Sequence, residues 1–246
     1  MPRYLFLIAF IFNIFTATAQ DTNRVTIIQK PYRPWYKGKV VKASIAPLVL
    51  IGLGTSVIND RGIYSSYQAR DDIRRLFPNF RTRVDDVLII APYIQLVALN
   101  LAKIPCRNDF INTSLLIVKT ELIMAAIVFP VKRLTEVQRP DSSDFRSFPS
   151  GHTAQAFAAA TIIHKEFRYK SPWYGVGAYA IASSVAFFRM ANNRHWLSDV
   201  LAGAGVGILS AQIAYLTHQH RWGRRAECFA PFIMKDGAGL CMYYSF

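Results

Sequence analysis

The chain has 246 residues, room for one domain and a short appendage. Hydrophobic residues make up 52% and charged residues 18%, against about 25% charged in soluble proteins, which excludes intrinsic disorder and disfavours an ordinary soluble globule; three cysteines exclude a disulfide-framework mini-protein. Twenty-nine Lys and Arg against 15 Asp and Glu leave a net charge of +14, which suits nucleic acid, an anionic membrane surface or a phosphorylated substrate, and the apolar content favours the last two.

Residues 1–19 have the parts of a secretory signal peptide: Arg3, an apolar run from Tyr4 to Phe15 broken by Asn13, and Ala17-Thr18-Ala19 as a cleavage site. An uncleaved first membrane helix is the alternative. Residues 20–44 form a basic stretch in which Pro31 and Pro34 discourage a long helix. Ile45 to Ile58 is an apolar run of 14 residues. That is short of the ~20 needed to cross a bilayer, so it predicts a thin or interfacial helix, or a span lengthened by its flanks.

Residues 59–86 alternate Arg and Asp around an apolar stripe of Tyr64, Tyr67, Ile73 and Leu76. This predicts an amphipathic helix on the membrane surface, with a solvated helical linker as the alternative. Val87 to Ile104 predicts a spanning segment, interrupted by Pro92, Gln95, Asn100 and Lys103. Leu115 to Val131 is the next, with Lys119 expected to snorkel and Glu121 on a different face.

A polar stretch from Lys132 to Gly151 follows. Thr153 to Ile163 starts another apolar helix, Trp173 to Phe188 is small and apolar, and Trp196 to Leu216 is the last long span. Gly203-x-x-x-Gly207 in that span predicts close helix packing. The tail, residues 218–246, is first basic and then alternates around Asp236-Gly237, which predicts a short hairpin. Cys228 and Cys241 are expected as thiols, though an oxidising compartment would let them pair; no zinc pattern exists.

Three clusters lie where spans meet polar loops: Lys132-x6-Arg139-Pro140, Phe148-Pro149-Ser150-Gly151-His152, and Arg189-x5-His195-x3-Asp199. Taken singly, a histidine near a span is more often structural than catalytic, and a basic residue at a membrane edge is usually an anchor. Together they say more. His195 and Asp199 are four apart, so a span beginning near Arg194 puts them on one face of its first turn. A carboxylate there accepts the Nδ1–H and leaves Nε2 as a nucleophile. His152 follows Ser150-Gly151 at an expected helix start, where backbone N–H groups bind anions and glycine permits close approach. Lys132, Arg139 and Arg189 supply cations that neutralise charge in phosphoryl transfer. No Asp/Glu cluster suited to a magnesium or zinc pair accompanies them, which predicts metal independence and no cofactor.

These motifs resemble the type 2 phosphatidic acid phosphatase (PAP2) superfamily, which also includes vanadium haloperoxidases. The family pattern is K-x6-R-P, then P-S-G-H, then S-R-x5-H-x3-D. It is matched by Lys132, Arg139 and Pro140, by Pro149 to His152, and by Arg189, His195 and Asp199. Phe188 departs from the pattern: the family usually has Ser there, so a hydroxyl near the phosphate is lost. The run from Arg189 to Trp196 also looks like the Bacteroidetes-type members.

The resemblance implies an all-α, integral-membrane helical bundle of about six core helices over 45–217, with a short C-terminal extension. It implies that His195 attacks phosphorus, that Asp199 orients it and that His152 protonates the leaving oxygen. Lys132, Arg139 and Arg189, with Ser150 and the Gly151 backbone, would hold the phosphate. The implied activity is removal of phosphate from a membrane lipid phosphate, with no nucleic-acid partner. A vanadium-dependent haloperoxidase and a non-enzymatic membrane protein are the alternatives.

The loops away from the motifs carry Lys103, Arg107, Lys165, Arg168, Lys170, Arg221, Arg224 and Arg225. The positive-inside rule puts them in the cytoplasm and the motif loops in the periplasm, in a bacterial inner membrane. A cleaved signal followed by a full crossing at 45–58 would reverse that parity.

Overall fold

The computed structural model describes residues 38–58 and 64–218, and the backbone of 228–234 and 237–243. The expected signal peptide, most of the basic stretch and the arginines at 221–225 lie outside the described residues.

Helix α1 (Lys39–Ser56) takes in the N-terminal flank of the 45–58 run and reaches 18 residues. The surface helix expected over 59–86 is reduced to α2 (Ser66–Leu76), closed at its start by a capping box. There Ser65 Oγ accepts from the Gln68 N–H at 3.2 Å and Gln68 Oε1 accepts from the Ser65 N–H at 2.9 Å.

The single span expected over Val87–Ile104 does not form. It is split into α3 (Val84–Leu88) and α4 (Ala91–Leu101). Pro92 explains the split, because a residue without an amide hydrogen is accommodated in a helix's first turn, and here it is the second residue of α4. The 11 residues of α4 rise only about 16 Å, half of a bilayer's hydrocarbon core.

The remaining helices are α5 (Phe110–Thr135), α6 (Gly151–Phe167), α7 (Trp173–Ala191) and α8 (Leu197–Leu216). Of the described helices, α1, α5 and α8 are long and apolar enough to cross a membrane. Phe110, Ile111, Leu115, Val118, Leu122 and Phe129 are exposed on α5, as suits a lipid-facing helix. The chain is a membrane protein.

Helix α8 is the centre: 72% of its apolar window is buried, against 11% for α1 and 22% for α5. It packs on α1, α5 and α6, while α6 also packs on α4 and α7. These six helices make the core, with Ile162, Ile163, Phe167, Val185 and Ala211 buried among them. Small residues set the spacing. A Cβ at Gly203 would lie 2.5 Å from the Ser150 carbonyl oxygen, and one at Gly207 would overlap the Ala154 carbonyl. The Gly203-x-x-x-Gly207 face thus seats the start of α6 directly on α8, as its spacing predicts.

Helix α6 spans about 25 Å between two unlike ends. Its first turn carries the second motif. At its last turn the buried Glu166 carboxylate accepts from the Asn108 N–H at 2.9 Å and from Asn108 Nδ2 at 2.7 Å. That ties the Arg107 loop to the Lys165 end of α6, away from the motifs. In the tail, β1 (Cys228–Met234) pairs antiparallel with β2 (Gly237–Tyr243), the expected hairpin. Cys228 faces Tyr243 and Cys241 faces Ala230, so the two cysteines are not cross-strand partners.

Candidate active site

His195 lies in the short turn between α7 and α8, and Asp199 lies in the first turn of α8. The expected i,i+4 pair is made: His195 Nδ1 is 3.3 Å from Asp199 Oδ2. The same oxygen accepts from the Trp196 N–H at 2.9 Å and from Ser147 Oγ at 2.5 Å. Both partners are buried, His195 at 3% exposure and Asp199 at 0%. Three donors fix the carboxylate, and the carboxylate fixes the tautomer, so Nδ1 carries the proton. Burial pushes the His195 imidazole down to about 4, with Arg189 and Lys132 adding to the effect and Asp199 opposing it. At neutral pH the ring is therefore uncharged, with a lone pair on Nε2.

Arg189 is in the last turn of α7, only 7% exposed. Its Nη1 donates to Asp85 Oδ2 at 2.8 Å and lies 3.5 Å from Asp86 Oδ1. Its Nε is buried with no hydrogen-bond partner among the described residues. A buried donor of this kind is costly unless an acceptor satisfies it. Lys132, in the last turn of α5, donates from Nζ to the Arg146 carbonyl at 2.7 Å and the Ser147 carbonyl at 3.3 Å. Its Cε lies 4.0 Å from where a Cβ on Gly151 would stand, so ammonium stem and glycine are neighbours. Arg139 Nε donates to Asp144 Oδ1 at 2.9 Å.

Ser150 is the N-cap of α6, and its backbone N–H donates to the Asp199 carbonyl at 2.9 Å. Its hydroxyl accepts from the Thr153 N–H at 3.4 Å and from Thr153 Oγ1 at 3.0 Å. Both contacts use the oxygen, which leaves the proton for an anion. His152 is next to this cap and half-exposed, with Nε2 3.1 Å from Asp86 Oδ1. Burial and Arg189 hold His152 below its ordinary range, while Asp86 and Asp85 pull it up. Arg189 thus acts electrostatically on both imidazoles. The three motifs converge on one face.

Several residues of this face carry no sequence signal. Ser147 is outside every motif pattern yet bonds Asp199. Asp85 and Asp86 fall in the stretch expected to be a surface helix, and only the fold brings them to Arg189 and His152. Arg70 donates to Asn193 Oδ1 at 2.9 Å and to the Pro140 carbonyl at 3.3 Å, tying α2 to two motif loops.

Two cavities meet the site. One, of about 900 Å³, is polar and is lined by Asp86, Arg139, His152 and Arg189 among others. The other, of about 540 Å³, is largely apolar, runs along α5 past Leu122, Val128 and Phe129, and ends at Lys132 and Gly151. Among the described residues no group of three or more His, Cys, Asp or Glu is placed to hold a metal ion.

Residues 115–223 match the PAP2 superfamily. The matched segment begins inside α5 and takes in all three motifs. Over 157 residues, 61% of this chain, the sequence is 36% identical to a lipid A 1-phosphatase of Porphyromonas gingivalis. The chain spans about a third of that relative, 35% of its length. Among solved structures, Aquifex aeolicus LpxE is 19% identical with a TM-score of 0.47, covering 65% of this chain and 99% of its own. A transmembrane PAP2-type phosphatidylglycerolphosphate phosphatase from Bacillus subtilis is 20% identical with a TM-score of 0.41, covering 75% of this chain and 98% of its own.

Proposed function

We propose that this protein is an integral-membrane, metal-independent phosphatase that removes phosphate from a lipid phosphate or pyrophosphate through a phosphohistidine. The observation that carries this reading is the buried, uncharged His195, held by Asp199 next to an Arg189 guanidinium with a spare donor. The Nε2 lone pair attacks phosphorus while Lys132, Arg139 and Arg189 neutralise the charge on the phosphate oxygens. The bond to the lipid oxygen breaks, and that oxygen takes the proton His152 shares with Asp86. Neutral His152 then takes a proton from water, the resulting hydroxide attacks phosphorus, and phosphate leaves with His195 restored.

A lipid substrate is supported by the apolar groove along α5, which ends at Lys132 and Gly151, so a tail in the groove brings its phosphate to the cations. Undecaprenyl pyrophosphate, phosphatidylglycerol phosphate, phosphatidate and lipid A all have this chemistry. The likeness to a lipid A 1-phosphatase favours lipid A. The basic end of the bundle, around Arg107 and Lys165, supports a cytoplasmic assignment for that end and a periplasmic one for the site, in the inner membrane.

The test is phosphate release from these lipids by the purified protein in detergent with a chelator present. His195→Ala should lose at least ~10³-fold in kcat, as expected when a covalent nucleophile is removed. Undiminished activity in that variant, at equal expression, would overturn the reading.

A further inference from the structure

The polar cavity is larger than one phosphate requires. At about 900 Å³ it lies at the upper end of the range for small-molecule sites. Six arginines line it: Arg74, Arg81, Arg83, Arg139, Arg189 and Arg194. Three of them are ion-paired within the chain. Arg139 pairs with Asp144 at 2.9 Å, Arg189 with Asp85 at 2.8 Å, and Arg194 with Asp141 at 3.3 Å. Arg74, Arg81 and Arg83 enter no ion pair among the described residues, and none of the three belongs to a PAP2 motif.

The segment carrying Arg81 and Arg83 is built in, although their side chains are exposed. Between them, the Thr82 N–H donates to Asn192 Oδ1 at 2.9 Å and the Thr82 carbonyl accepts from Asn192 Nδ2 at 2.9 Å. Asn192 Nδ2 also donates to Asp85 Oδ1 at 3.1 Å. Just before Arg81, Phe80 stacks on Phe188 with centroids 5.8 Å apart and planes 17° apart, and Phe77 meets Phe187 edge-on at 5.8 Å. Phe188 is the position where the family usually has Ser. The ring that replaces the hydroxyl anchors the wall from which the extra arginines project.

We infer that this wall is a second anion subsite, in which Arg81 and Arg83, with Arg74, receive a phosphate or carboxylate of the substrate's head group other than the phosphate that reacts. The inference rests on the phosphatase reading and narrows its substrate class: lipids whose head groups carry two separated anionic groups. A general attraction to anionic membrane would not need the arginines to share a cavity with His152.

The test compares a disaccharide lipid carrying two phosphates with the same lipid carrying only the phosphate to be removed. Each is presented in neutral detergent, so that no other anionic lipid is present. Binding is measured on His195→Gln, so the result does not depend on turnover, and phosphate release by the unmutated chain is measured alongside. The two-phosphate lipid should bind at least ~10-fold more tightly, the scale of one added charge-assisted contact. Adding Arg81→Gln and Arg83→Gln should bring the ratio close to one, and Arg81→Lys with Arg83→Lys should restore part of it. Equal binding of the two lipids, or equal weakening of both by the Gln pair, would overturn the subsite. Normal discrimination without phosphate release from either lipid would instead overturn the phosphatase reading alone.

Discussion

His152 Nε2 and Asp86 Oδ1 lie 3.1 Å apart, although 66 residues separate them in the chain. The carboxylate holds the His152 ring at the mouth of the polar cavity and offsets part of the burial and Arg189 effects that lower its pKa. In the proposed mechanism His152 is protonated when it serves the leaving oxygen, so kcat/KM should fall as pH rises through a value below the ordinary 6.5. Asp86→Asn removes a group that raises that pKa. The falling limb should move further to acid, with a loss of roughly tenfold at pH 7.5 and less at pH 5.5. A pH–rate profile of both proteins checks this, and an unmoved limb would show that Asp86 does not act through His152.

The buried His195 makes stability sensitive to acid. Its imidazole is pushed down to about 4 in the folded protein, from an ordinary 6.5. Between those values the unfolded chain binds a proton that the folded chain does not. Stability is therefore full above about 6.5 and is lost as pH falls towards 4, by up to about 3 kcal/mol. Thermal unfolding in detergent between pH 4.5 and 7 should show this slope, and His195→Gln should flatten it.

Ser147 holds one of three bonds to Asp199 Oδ2, and Asp199 holds the His195 tautomer. Ser147→Ala removes one donor and should lower kcat about tenfold, the worth of one such bond. Asp199→Asn offers the ring an amide in place of a carboxylate and should cost about 10³-fold or more. Steady-state kinetics should place both effects in kcat, with KM little changed.

Gly207 and Gly177 are both helical, yet their surroundings are opposite. A Cβ at Gly207 overlaps the Ala154 carbonyl, while one at Gly177 has nothing within 4 Å. Gly207→Ala should destabilise the bundle by roughly 2 kcal/mol or more, as α6 and α8 are pushed apart. Gly177→Ala should be neutral or stabilising by up to about 1 kcal/mol through helix propensity. Melting of the two variants in the same detergent separates packing from propensity.

The sequence alone determined the features that depend on near neighbours along the chain. The i,i+4 spacing of His195 and Asp199 defines a pair on one helical turn. Ser150-Gly151 marks a helix start, Gly203-x-x-x-Gly207 marks a close contact, and long apolar runs mark α5 and α8. Apolar content misled at Val87–Ile104, because most residues there are hydrophobic while Pro92 interrupts the hydrogen-bond ladder, and a composition reading weighs the first above the second. Only the tertiary structure decided what fills the space around the motifs. Asp85 and Asp86 read as charges on a surface helix until α3 turns them onto Arg189 and His152. Phe188 reads as a missing hydroxyl until its ring is seen against Phe80, and Ser147 reads as loop until it meets Asp199. The physical reason is range: a turn of helix sets positions three and four residues away, whereas a carboxylate and its partner more than sixty residues off are joined only when the whole chain has packed.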